Sequence, residues 1–330
     1  MTPRIVSISR RTDIPAFYGR WFEQRLDAGF VGWENPFGGQ KYLLSLKRDD
    51  VIALVFWSKN YRPFLPTLER VRALNYPTVF NYTITGLPHD FECHLVPAED
   101  ALDSLVELSR IYSPDHINWR YDPIVISSAT PPAFHEDRFA ELCAHLQGYV
   151  KRCYFSYAIQ YGKVARNFQR FEREHGIQFT DPTMPERISL ARRLTDIATA
   201  HGIEMFTCCG EYLIDERIKK AHCVDGDVVS RLFYNGTWHG IERPTRKECG
   251  CTESTDIGKY DTCPHGCIYC YANINKEQAI QSFNAHDPAS AFLGYNKAES
   301  DLFIQEIQRR APPVSEKKVK STGKQLGFEF

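Results

Sequence analysis

Val51-Ile52-Ala53-Leu54-Val55-Phe56-Trp57-Ser58 is apolar through its first seven residues, without the polar alternation of a strand that faces water on one side. Such a run fits a strand covered on both faces, as in a parallel sheet between helices. It is far shorter than the ~20 residues that a membrane helix requires. Upstream, Ile5 to Ser9 reads as the first strand, Pro15 to Leu26 as a helix with Trp21, Phe22 and Leu26 inward, and Lys41 to Leu46 as a further strand. Downstream, Leu65 to Leu74 repeats Leu68, Val71 and Leu74 at helical spacing. The pattern continues with strand Thr78 to Thr85, helix Ala98 to Tyr112 and strand Ile117 to Asp122. In the helix Phe134 to Gln147, Phe139, Leu142, Cys143 and Leu146 form one stripe, which makes Cys143 a small buried hydrophobe. Strand Cys153 to Ala158, a charged helix ending near Glu174, and a helix opened by the capping box of Thr183 and Glu186 follow. That last helix carries Leu190, Leu194 and Ile197 on one side, and Ile203 to Thr207 is the last clear strand.

Six or seven strand–helix repeats predict an α/β fold, a partial or complete (β/α) barrel over residues 1–210. After Gly210 the rhythm breaks and cysteine, glycine and charge become dense, which predicts a cysteine-rich cluster-binding region over residues 211–300, folded across the barrel mouth. Residues 301–330 read as the end of a helix and a mobile tail, polar and lysine-rich from Pro312. The composition of the 330-residue chain, 43% hydrophobic and 25% charged, is that of a soluble globule with a sizeable core. A net charge of −1 sets up no global field toward nucleic acid. Eleven cysteines without an export signal predict reduced thiols and metal ligation in the cytoplasm, with no membrane attachment.

Late in the chain stands Thr262-Cys263-Pro264-His265-Gly266-Cys267-Ile268-Tyr269-Cys270-Tyr271-Ala272-Asn273. Three thiolates spaced C-x-x-x-C-x-x-C fill three corners of a [4Fe–4S] cluster and leave the fourth iron open to nitrogen and oxygen donors. A zinc knot, or a disulfide with one free thiol, competes with that reading. Polar residues past the strand ends are the candidates for chemistry: Arg10, Arg11, Thr12 and Asp13; Ser58, Lys59 and Asn60; Thr83 and Thr85; and Arg120 and Asp122, which period two places on one face. Arg120 suits a bidentate contact with a carboxylate or phosphate, or a structural pair with Asp122. Ser156, Tyr157, Lys163, Arg166 and Asn167 follow the next strand, and Trp57, Trp119 and Tyr157 are placed to stack a base. A second group, Cys208, Cys209, Cys223, Cys249 and Cys251, lies among His222 and Asp225. Four of the five could hold an auxiliary [4Fe–4S] cluster or zinc, or all could stay unligated. Vicinal Cys208 and Cys209 point opposite ways in a strand, so one is spare, and the set Cys209, Cys223, Cys249 and Cys251 remains.

The cysteine motif resembles that of the radical S-adenosylmethionine (SAM) enzymes. The resemblance implies that Cys263, Cys267 and Cys270 hold the cluster, that Tyr269 packs on the adenine of SAM, and that the cluster takes electrons from a donor such as flavodoxin or ferredoxin. Arg10, Arg11 and Asp13 would then contact SAM, and Lys59, Arg120 and Asp122 would act on an unknown substrate. The chain departs from that superfamily in carrying the motif at residue 263 rather than after the first strand, and in lacking a Gly-Gly-Glu after a second strand. Its opening, Ile5-Val6-Ser7-Ile8-Ser9-Arg10-Arg11-Thr12-Asp13-Ile14-Pro15, together with the late motif, is similar to an uncharacterised bacterial family known only as a domain of unknown function. The alternative expectation is a non-catalytic iron–sulfur or zinc module, serving redox sensing or interaction and linked to nucleic-acid processing. The final Gln325-Leu326-Gly327-Phe328-Glu329-Phe330 faintly resembles the peptide that docks on bacterial sliding clamps.

Overall fold

The computed structural model describes residues 2–244, 246 and 248–310. In chain order its elements are β1 (Arg4–Ile8), α1 (Ile14–Phe17), α2 (Gly19–Ala28), β2 (Phe30–Glu34), β3 (Lys41–Ser45), β4 (Val51–Ser58), α3 (Leu65–Ala73), β5 (Thr78–Thr83), α4 (Ala98–Ile111) and β6 (Ile117–Ile124). There follow α5 (Pro132–Leu146), β7 (Arg152–Tyr157), α6 (Gly162–His175), α7 (Met184–Ala200), β8 (Glu204–Thr207), β9 (Ile218–Lys220), α8 (Gly226–Phe233), β10 (Ser254–Asp256), α9 (Lys276–Asn284) and α10 (Lys297–Arg310). Eight strands form one parallel sheet in the order β10-β1-β4-β5-β6-β7-β8-β9. Among the described residues the ladder stops at β9 and β10 and does not close. The segments beside them meet through one backbone bond, Thr252 N to Val224 O at 2.9 Å.

Alternation along the strands sorts the two faces of the sheet. Leu54, Phe56, Trp119 and Tyr121 pack with Phe22, Leu68, Leu105, Phe139 and Leu194 of the surrounding helices in the main core. Ile5, Ala53, Val55 and Tyr154 look the other way, onto Val228 and Val229 of α8 and onto Cys208, Cys223 and Cys251. That second face also buries polar groups, and they are matched across the strands. Asn81, Asn118 and Arg152 stand in register on β5, β6 and β7. Arg152 donates to Asn118 at 2.9 Å, Asn118 to Asn81 at 3.4 Å, and Asn81 to the Cys223 carbonyl at 3.0 Å.

The double coverage read from the Val51 run is what β4 shows, with neighbours on both sides and core on both faces. Several expectations need correction. The helix expected over Pro15 to Leu26 is two, because Tyr18 leaves the helical region at φ −125° before Gly19 starts α2. Leu74 is 44% exposed, since α3 ends at Ala73 and Leu74 only caps it. β3 pairs antiparallel with β2 in a separate ribbon. Thr207 does not end the sheet: β9 and β10 come from beyond residue 210 and flank β8 and β1. Among the described residues no helix is long and apolar enough to cross a membrane. The expected clamp-docking peptide and the lysine-rich tail lie outside the described residues.

Candidate functional site

In a parallel sheet the residues just past the strand ends converge on one rim. Here residues 9–13 after β1, residues 57–59 at the end of β4, Arg120 and Asp122 of β6, and Ser156 and Tyr157 of β7 line one cavity of about 220 Å3. Cys263, Cys267, Tyr269 and Cys270 form part of the same wall. Every residue assigned from the sequence to the cluster, to SAM or to catalysis at the main motif therefore borders one space. Trp119 does not: it is fully buried on the opposite face, stacked on Phe139 at 5.1 Å, as the period-two argument that pairs Arg120 with Asp122 requires.

The cysteine loop is pinned from the start of the chain. Asp13 takes hydrogen bonds from Ser58 Oγ (2.6 Å), the Lys59 amide (2.8 Å) and the Ala16 amide (3.0 Å), and His265 Nε2 lies 2.7 Å from its second oxygen. Its carboxylate is thus committed to joining β1, β4 and the motif. Tyr18 Oη donates to the Thr262 carbonyl at 2.6 Å, and Asn273 Nδ2 to the Cys263 carbonyl at 2.6 Å. Gly266 sits at φ +72°, and a Cβ there would lie 2.8 Å from Cys93 Sγ, so glycine is needed for both conformation and space.

Lys59 is not a free base. Its Nζ lies 2.7 Å from Glu92 Oε1, and Tyr269 Oη also donates to Glu92. Thr85 completes the set at 3.1 Å from each Glu92 oxygen. Burial opposes charge on both Glu92 and Lys59, yet their pairing prevails, holding Glu92 below the usual carboxylate range and Lys59 above that of free lysine. Tyr269 is consequently fixed by its hydroxyl, with its ring left as cavity wall.

Across the cavity, the Trp57 ring lies between Arg10, 6.0 Å from its centroid, and Arg120, at 5.1 Å. Arg10 contacts Asp256 through its amide at 2.9 Å and its Nε at 3.5 Å. Arg120 ion-pairs with Asp122, which also accepts from Ser156 Oγ, and donates Nη1 to Cys223 Sγ at 2.9 Å. Arg11 donates to the Gly258 carbonyl at 3.3 Å and lies over Tyr260.

Burial pushes the Cys263 thiol up to about 12, with Asp13 and Cys270 adding to the shift; Cys267 and Cys270 are raised by burial as well. Cys270 adds to the shift of Cys263, and both add to that of Cys267, so burial and mutual repulsion favour the thiol form at this wall. The three do not converge on one point as expected: among the described residues no group of three or more Cys, His, Asp or Glu is arranged to hold a metal ion as it stands, and that includes the second group of cysteines. Neutral thiols have no attraction to a common centre, and a [4Fe–4S] cluster places each thiolate on a different iron. The donor set suits such a cluster, being three soft sulfurs on one wall. His265 Nδ1 and Asn273 Oδ1 lie buried beside them without partners.

The loop also has an outer side. Cys267 and Cys270 line a second cavity of about 1030 Å3 together with Cys93, Arg166, Arg170 and Lys276. Cys93, whose Sγ is 3.8 Å from the Gly266 carbonyl, was invisible as a site residue in the sequence, as were Glu92 and Asp256. Glu92 and Cys93 stand in a loop with no periodic pattern, and no sequence signal joins them to a motif about 170 residues away.

The other cysteines assemble behind Arg120. Cys208 Sγ and Cys223 Sγ are 3.5 Å apart, and the free thiols of Cys223 and Cys251, Cys251 and Cys249, and Cys208 and Cys209 are close enough to interact. Cys209 is not opposed to Cys208, because it sits at φ +54°, off the strand geometry that would separate the pair. Gly250 passes so close to His222 that a Cβ would lie 2.7 Å from the ring. No curated protein matches this chain. Residues 5–272 match the family model described as a domain of unknown function, DUF1848, and with most of its length inside that match the chain belongs to that family.

Proposed function

We propose that the chain is a radical-SAM-like iron–sulfur enzyme whose substrate enters the cavity between the strand ends and the cysteine loop. The observation that supports this reading is the shared wall: three buried thiols, a fixed tyrosine ring and the polar ends of β1, β4, β6 and β7 border one space. The parallel strands are read as a (β/α) barrel with the loop across its mouth. Cys263, Cys267 and Cys270 would hold a [4Fe–4S] cluster, which with SAM supplies a 5′-deoxyadenosyl radical that abstracts hydrogen from the substrate. The protein's own contribution is placement. Asp13 and His265 fix the loop, Glu92 orients Tyr269 as a flat surface for the adenine, and Lys59 sets a positive charge beside Cys267. Arg10 and Arg120 already contact Asp256 and Asp122 directly, whereas among the described residues the Arg11 side chain hydrogen-bonds a backbone carbonyl and no carboxylate, so Arg11 is assigned the SAM carboxylate. The test is anaerobic reconstitution followed by dithionite reduction. SAM should yield 5′-deoxyadenosine and methionine, Cys267→Ala should abolish this, and Arg11→Ala should weaken SAM binding about tenfold or more, the loss of one charge-assisted contact. A reconstituted cluster whose paramagnetic resonance spectrum ignores SAM would overturn the reading.

One observation favours a second reading. Cys93 adjoins the loop at Gly266 and shares the outer cavity with Cys267 and Cys270, so it could complete a closed set of four thiolates in a redox module. Cys93→Ala decides between them: an open-iron site keeps its cluster in this variant, and a closed one loses it.

A further inference from the structure

We infer that Cys208, Cys209, Cys223, Cys249 and Cys251 form a second thiolate metal site, separate from the motif loop and taking zinc or an iron–sulfur cluster. Three separate segments bring these sulfurs together: the end of β8, the stretch after β9, and the approach to β10. Cys208, Cys223 and Cys251 are buried, and the contact of 3.5 Å between Cys208 and Cys223 sulfurs joins two of the three segments. Gathering cysteines from positions up to 43 residues apart costs loop-closure entropy that weak S–H hydrogen bonds do not offset. The backbone is turned to the same end, since Cys209 adopts a left-handed conformation that favours glycine and so joins the group rather than standing spare.

Charge supplies an independent argument. Arg120 donates directly to Cys223 Sγ at 2.9 Å, Arg10 lies close enough to Cys223 and Cys251 for their charges to interact, and Arg246 does the same with Cys208 and Cys209. Two of these guanidinium groups also face carboxylates, Arg10 at Asp256 and Arg120 at Asp122, yet each of the three lies near a sulfur. Around four thiolates on a metal, which carry a net negative charge, they are the expected counter-ions. The present arrangement is a chain of sulfur contacts, held by shared thiol protons, rather than a single centre. An entering metal displaces those protons and exchanges S–H contacts for metal–sulfur bonds.

The experiment uses the full chain carrying Cys263→Ala, Cys267→Ala and Cys270→Ala together, so that its outcome does not depend on the motif cluster. Loaded anaerobically with ferrous iron and sulfide, or with Zn2+ alone, and desalted, it should retain about four irons or about one zinc per chain. Adding Cys223→Ser and Cys251→Ser should remove that metal. Retained iron with sulfide identifies a cluster and retained zinc a mononuclear site, and either outcome upholds the assignment. Should the triple variant fail to fold, the wild-type chain and its Cys223→Ser/Cys251→Ser variant are compared instead, and the variant should lose one site's worth of metal. A folded triple variant that retains neither metal, or a Cys223→Ser/Cys251→Ser substitution that leaves the metal count unchanged in either background, would overturn the inference while leaving the reading of the motif loop untouched.

Discussion

Cys263, Cys267 and Cys270 come from eight consecutive residues, whereas Cys208, Cys209, Cys223, Cys249 and Cys251 come from three segments of the chain. The first group is positioned by side chains that reach into a loop: Asp13, Tyr18 and Asn273 hold its backbone and His265. The second is positioned by sheet topology, because β8 and β9 are neighbours and β10 is brought alongside β1. A local motif announces itself by spacing but depends on remote anchors for its geometry. The assembled group shows in the sequence only as scattered cysteines, with no spacing that fixes which of them meet, yet it is carried by the hydrogen-bonded frame itself.

The largest effect that would test this contrast is at Glu92. Glu92→Gln leaves the ammonium of Lys59 buried without its counter-charge, and should cost about 3–5 kcal/mol in urea denaturation. Adding Lys59→Met should return most of that loss. Strict additivity of the two substitutions would show that the anchor is not a pair. Acid exposes the same anchor. Glu92 and Asp256 both titrate below the ordinary carboxylate range in the folded chain, so their contribution is present above about pH 4 and is lost as pH falls through their folded values. The acid limb of a stability–pH curve should therefore be shallower in Glu92→Gln than in the wild type.

Two glycines sharpen the contrast further. Gly266→Ala meets both a positive φ and Cys93 Sγ at 2.8 Å, and should destabilise by about 1–3 kcal/mol. Gly250→Ala meets only the side chain of His222, which can turn aside, and should cost less than about 1 kcal/mol, both glycine variants being measured by urea denaturation. Between the two glycines stands Trp57→Phe, which removes the 3.1 Å bond to Ser7 Oγ and weakens two cation–π contacts, for about 0.5–2 kcal/mol. A larger loss there than at Gly266 would reverse the ranking of the two regions.

Much of the sheet was legible because its central strands are long and apolar: β4 begins and ends where the Val51 run does, and the Thr183 and Glu186 capping box stands at the start of α7. β9 and β10 were not legible, since three residues carry no measurable periodicity and their place is set by partners far along the chain. The grouping of Arg120 and Asp122 followed from the pleat. Applied consistently, the same pleat would have sent Trp119 to the other face. Glu92, Cys93 and Asp256 carried no local signal, because what makes them part of the site is a partner across space.

The pairing of β1 with β10, Ile5 beside Ser254, has a consequence for the order in which the molecule is built. On a growing chain β1 is made first, and β4 can cover one of its edges early. Its other edge keeps a bare row of amide and carbonyl groups until nearly the whole chain has been synthesised, an opening through which unfinished chains can stick to one another. Cys263 follows Asp256 by seven residues, so the segment that seals that edge and the segment that delivers the motif thiols arrive together. Any loading of metal at the motif would thereby be tied to completion of the sheet, and a chain cut before residue 254 would have neither the sealing strand nor the motif.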